Sequence, residues 1–116
     1  MGKVPAGIVV DGEQVRVDLN AFGELVSTDG VLELAELGLI LVRGKRRIRA
    51  FCAFCPHKRG KERPVERVAG AGRPRFVCRH HGWTFDRKGR PTGKAEEGLD
   101  RWDAEIVGDE VVVRRR

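Results

Sequence analysis

Short apolar runs broken by glycine-bearing turns recur along the chain. Ile8 to Val10 and Val15 to Leu19 flank Asp11-Gly12-Glu13, a pattern that predicts a β-hairpin. Leu39 to Arg43 and Arg47 to Phe51 flank Gly44-Lys45 and predict a second. Trp102 to Val107 and Glu110 to Arg114 flank Gly108-Asp109 and predict a closing hairpin. Between them, Asn20 to Gly30 reads as a loop, and Val31 to Leu37 fits either a short helix or a strand. Lys58 to Pro74 reads as a long polar insert with a turn at Gly70-Ala71-Gly72. Arg75 to Val77 is a predicted strand, Thr84 to Asp86 another, and Lys88-Gly89 turns the chain. Abundant glycine and short runs predict an all-β chain. Its 116 residues suit a single domain over 1–116 with a modest core.

The candidate chemistry lies in two short segments, Cys55-Pro56-His57 and Cys78-Arg79-His80-His81. Each offers one thiol and at least one imidazole, so two loops can supply four ligands to a metal centre. Sulfur with nitrogen suits zinc or an iron–sulfur cluster. One Zn²⁺ could be held as Cys2His2, or as Cys3His by Cys52, Cys55, Cys78 and a histidine, since Cys52-Ala53-Phe54-Cys55 is itself C-x2-C.

Cys55-Pro56-His57-Lys58-Arg59-Gly60 resembles the first ligand loop of Rieske [2Fe–2S] proteins. Cys78-Arg79-His80-His81-Gly82-Trp83-Thr84-Phe85-Asp86 resembles the second, in the form seen in bacterial ring-hydroxylating systems. The resemblance runs roughly from Leu39 to Val113 and is weak before that. It implies an antiparallel β-sandwich with a small cluster-binding subdomain, approximately 52–87, formed by two loops. It implies a [2Fe–2S] cluster with Cys55 and Cys78 on one iron and His57 and His81 on the other. The family does not use the position of His80 for iron, so His80 is expected to be a loop residue. Cys52 has no role in that pattern and is expected to be a small buried strand residue.

The residue types have chemical reasons. Thiolate stabilises ferric iron, whereas neutral imidazole donates less charge and tolerates an added electron better, which raises the potential above that of an all-cysteine cluster. Pro56 fixes a backbone angle and lacks an N–H. Gly60 and Gly82 follow the ligands, where positive φ or close backbone approach is often needed. High-potential members of the family carry a second cysteine in each loop, which this chain lacks. It also lacks Tyr, and Trp83 follows Gly82 where those proteins tend to have Ser. The resemblance therefore implies the low end of the Rieske range, around −150 mV. By the same resemblance Pro91 and Leu99 would cover the cluster; Trp83 is expected to pack beside the loops rather than relay electrons.

Three cysteines do not make a disulfide framework. No segment approaches the roughly 18 apolar residues that span a bilayer, and Met1 to Pro5 lacks a secretory apolar region. A cytoplasmic protein without a membrane anchor is expected. Net charge is +6, but there is no helix-turn-helix pattern or RNA-binding aromatic signature, so nucleic acid is not the expected partner. Lys58, Arg59, Lys61 and Arg79 adjoin the ligands and suit a redox partner with an acidic face.

Rieske oxygenases need a second, mononuclear iron held by two His and one carboxylate. This chain has only His57, His80 and His81, and two of these belong to the cluster by resemblance. The expectation is therefore an electron carrier rather than an enzyme. It would pass electrons from a flavoprotein ferredoxin reductase to a terminal oxygenase. The alternative is a structural zinc module or a Rieske-like accessory subunit of a larger enzyme.

Overall fold

Side chains alternate between the two faces of a strand, so the burial pattern along each strand assigns its cores. The computed structural model describes residues 6–26, 30–56, 64–68, 75–78 and 82–114. Among these residues the regular structure is eleven strands and three 3-10 segments, with no α-helix.

β1 (Ile8–Asp11) and β2 (Gln14–Asp18) form the first expected hairpin, in register from Ile8 with Val17 to Asp11 with Gln14. Leu19, expected in the strand, instead opens a 3-10 segment (Leu19–Ala21). The Asp18 carboxylate caps it, accepting from the Asn20 N–H at 2.9 Å. A second segment, Gly23–Leu25, buries Leu25 completely, so the expected loop is anchored by its own apolar residue. Val31 to Leu37 divides into β3 (Val31–Leu34) and a 3-10 segment (Ala35–Leu37). β4 (Leu39–Arg43) and β5 (Ile48–Cys52) make the second hairpin.

The polar insert is where expectation and structure part. β6 (Val65–Val68) lies inside it and pairs with β7 (Arg75–Cys78). Glu66 and Arg67 are exposed at the centre of this edge strand, which hides the apolar alternation that marks a strand. β8 (Thr84–Phe85) and β9 (Pro91–Thr92) complete that sheet; β10 (Arg101–Val107) and β11 (Glu110–Arg114) form the closing hairpin. The Gly70-Ala71-Gly72 turn falls outside the described residues.

The strands assemble into a seven-stranded sheet, β1-β2-β11-β10-β5-β4-β3, and a four-stranded one, β6-β7-β8-β9. All pairs are antiparallel. β10 joins the halves of the larger sheet. Its Arg101 and Trp102 pair with Phe51 and Ala50, and its residues from Asp103 onward pair with β11. Val15, Val17, Val111 and Val113 from one half share a core with Leu39, Leu41, Ile48 and Ala50 from the other. The large sheet therefore folds on itself about β10. The opposite face of β3 to β5 contributes Val31, Ile40, Val42 and Phe51 to a second core, closed by Phe76 and Phe85 of the small sheet. β4 is thus buried on both faces, which is why Leu39 to Val42 is an unbroken apolar run. The all-β antiparallel sandwich expected from the sequence is the observed fold. No helix among the described residues is long and apolar enough to cross a membrane.

Candidate metal centre

β5 delivers the first cysteine. Phe51, Ala53 and Cys55 all lie in the second core, whereas Ile48 and Ala50 lie in the first. Alternation then sends Cys52 to the side opposite Cys55. Cys52 is the last residue of β5 and is half-buried, more exposed than expected, because it sits where β5 meets the strap before β10; its N–H donates to the Asp100 carbonyl at 2.7 Å. This geometry opposes a zinc set that uses Cys52 and Cys55 together.

β6 ties the first cysteine segment to the second. Phe54 bridges to Pro64, and the Val65 N–H donates to the Ala53 carbonyl at 2.8 Å. Val65 is itself the direct partner of Cys78 across the β6–β7 ladder. Cys78 ends β7, its N–H donating to the Trp83 carbonyl and its own carbonyl accepting from the Gly82 N–H, both at 2.8 Å. The Cys78–Trp83 contact continues the β7–β8 ladder by one rung, so it closes the base of the second loop. Gly82 has φ +72°, as expected from its place after the ligand segment.

Both thiols are buried, Cys55 at 3% and Cys78 at 0% exposure, in one apolar cluster with Val65, Trp83, Phe85 and Leu99. None of the three cysteines is in a disulfide. Two thiols carried from separate loops into one dry core fit a metal cluster, because a buried thiolate needs a cation beside it. Pro56 is also fully buried. His57 and His81 lie outside the described residues, as do His80, Gly60, Lys58, Arg59, Lys61 and Arg79. Among the described residues no group of three or more His, Cys, Asp or Glu side chains converges as a metal site.

Trp83 packs beside the loops, as expected, and Leu99 joins the same core with its N–H on the Gly89 carbonyl at 2.8 Å. Pro91 instead is exposed on β9, the edge of the small sheet, where its missing N–H costs no ladder bond. Sequence reasoning missed two neighbours. Val65 was hidden in the polar insert. Lys94 lies against Gly82, where a Cβ would meet its Cε at 3.3 Å and its Nζ at 3.5 Å; the only sequence signal was the turn glycine before it. Thr84 and Thr92 hold β8 to β9 through a hydroxyl pair at 2.7 Å.

Beyond β8, Asp86 organises the return. Its Oδ1 accepts from the Lys88 and Arg90 N–H groups at 2.8 and 2.9 Å, and its Oδ2 accepts from the Arg90 Nε at 2.8 Å. Burial pushes the Asp86 carboxyl up, but these hydrogen bonds outweigh it and hold the group below the usual carboxylate value.

An all-β sandwich that brings two buried thiols together from two loops defines a cluster-binding domain. The family model for the Rieske [2Fe-2S] domain matches residues 9–102. The chain therefore belongs to the Rieske [2Fe-2S] domain family, whose cofactor is a [2Fe–2S] cluster and whose domains are electron-transfer modules. The match begins well before Leu39, because the β1–β2 hairpin is part of the large sheet, and it stops short of β11. Comparisons with curated proteins and with solved structures gave no significant match.

Proposed function

We propose that this chain is a one-electron carrier, with Cys55 and Cys78 holding one iron of the cluster and His57 and His81 the other. The observation that carries this reading is the joint burial of Cys55 and Cys78 in one core, from two separate loops. The bound cluster supplies a reversible one-electron couple. The protein's own residues exclude water from the thiol side, through Trp83, Leu99 and Val65, and fix the base of the second loop through the Cys78–Trp83 rung. The whole chain, 1–116, serves as one domain with the cluster-binding part at approximately 52–87.

Electrons come from a flavoprotein ferredoxin reductase and go to a terminal oxygenase, whose acidic faces meet Lys58, Arg59, Lys61 and Arg79, and the exchange takes place in the cytoplasm. With three histidines in the whole sequence, two of them cluster ligands, one imidazole remains where a mononuclear oxygenase iron needs two. It therefore carries electrons and does not activate O₂. The deciding experiment is low-temperature EPR of the dithionite-reduced protein, with iron, sulfide and zinc assayed on the same sample. The expected result is an anisotropic spin-½ signal of low average g with equal iron and sulfide. EPR silence with stoichiometric zinc would replace the carrier with a structural zinc module.

A further inference from the structure

A second feature lies at the other end of β5. Cys52 donates to the Asp100 carbonyl, and Trp102 pairs with Ala50. Antiparallel alternation then turns the N–H and C=O of Ile48 toward β10, and those of Ala104 and Ile106 toward β5. The two strands do not meet there. β5 stays with β4, while β10 from Asp103 onward stays with β11. The result is a notch of about 520 Å³ between two strand edges, with no strand in it among the described residues.

Its lining is strongly basic. Arg46, Arg47, Arg49 and Arg101 line it against Asp103 and Glu105, four guanidiniums to two carboxylates. Arg101 reaches the Lys88 carbonyl at 3.4 Å, which links the notch to the Asp86–Arg90 turn. Burial first, and then Arg47, Arg101, Arg87 and Arg90, lower the Arg49 pKa. Positive charge is thus in excess beside open backbone edges. Half-buried Trp102 and Ile106 add apolar surface.

We propose that this notch docks an extended acidic segment of a protein partner, which adds as a short strand between β5 and β10 while its carboxylates pair with the four arginines. Edge pairing supplies backbone hydrogen bonds, and guanidinium–carboxylate pairs supply selectivity for acidic sequence. β5 begins at the notch and ends at Cys52, roughly 13 Å away at about 3.3 Å per residue. A partner held here leaves the cysteine end uncovered, so the notch acts as a tether during electron exchange. The assignment does not depend on which side chains ligate iron.

The test uses the full-length, cluster-loaded protein and a capped nonapeptide of alternating Glu and Val carrying a fluorophore. Anisotropy and amide NMR are followed together. The peptide is expected to bind, to shift the amides of Ile48, Ala104 and Ile106, and to weaken as salt rises. Arg49→Gln should weaken it about tenfold. The double substitution Arg46→Gln with Arg47→Gln, at two exposed positions that do not threaten folding, should do the same. A Gln-for-Glu peptide, and a Glu peptide with central prolines that cannot pair, should both fail to bind. Equal binding of the proline peptide would overturn strand addition. Binding of tripolyphosphate but not of the Glu–Val peptide would make this a small-anion site and overturn the proposal, as would no binding at all.

Discussion

Gly89 and Gly82 both adopt left-handed backbone, at φ +75° and +72°, yet their surroundings differ. A Cβ at Gly89 would sit 2.5 Å from Cε1 of the fully buried Phe51 ring, whereas among the described residues one at Gly82 meets only the flexible end of Lys94. Gly82→Ala should therefore cost the conformational penalty alone, about 1–2 kcal/mol. Gly89→Ala adds an overpacked core and should cost about 2–5 kcal/mol. Urea midpoints of the two variants check the order; equal losses would mean that the Phe51 contact carries no energy. Asp86 makes a prediction in pH. Its folded pKa lies below the ordinary 3.8. Its charge therefore stabilises the fold above that value, and the stabilisation is lost as pH falls through the folded pKa. Arg90→Gln removes the guanidinium partner and should move the Asp86 titration back up toward 3.8, read by ¹³C NMR of the carboxyl carbon. An unmoved titration would show that the Arg90 side chain contributes nothing.

At the scale of elements, β6 places one buried side chain between the two cysteine segments. Val65 is 4% exposed, opposite Cys78, while Val113 is fully buried in the other core. Alanine at either position removes two buried methyl groups and should cost about 2 kcal/mol. Only Val65→Ala should also speed iron loss to a chelator, because only that cavity opens beside the thiols; equal chelation rates would deny β6 its bracing role. Cys52→Ser should leave iron content unchanged, since strand alternation turns Cys52 away from Cys55, and loss of iron would refute that. The three hairpins were legible in the sequence because Gly12, Gly44 and Gly108 separate apolar runs on strands with a buried face. β6 was not, because its central Glu66 and Arg67 face solvent, and β9 is only Pro91–Thr92. The thiol pair was legible from its spacing with histidine. Its bracing by Val65 was not, because that contact exists only once residues distant in sequence pair.

At the scale of the molecule, two cores share one layer. The β3–β4–β5 layer gives one face to a core built with β2 and β11 and the other to the core that holds Cys55 and Cys78. The two cores differ in what else supports them. The first is framed by β2 and β11, five residues each and paired along their whole length. The second is closed by strands of four, four, two and two residues, too short to persist without something to pack on. On the proposed ligation the cluster joins the two loops feeding those strands, which would make it part of what holds the small sheet in place. Removal of iron with a chelator under reducing conditions should therefore have a split effect. Amides of β2, β4 and β11 should keep their protection from hydrogen exchange, while those of β6, β7 and β8 lose it. Hydrogen-exchange mass spectrometry on loaded and stripped protein reads both halves in one sample. Uniform loss would mean that the shared layer couples the cores into a single cooperative unit. Uniform retention would mean that Phe76, Phe85 and Trp83 hold the small sheet by packing alone.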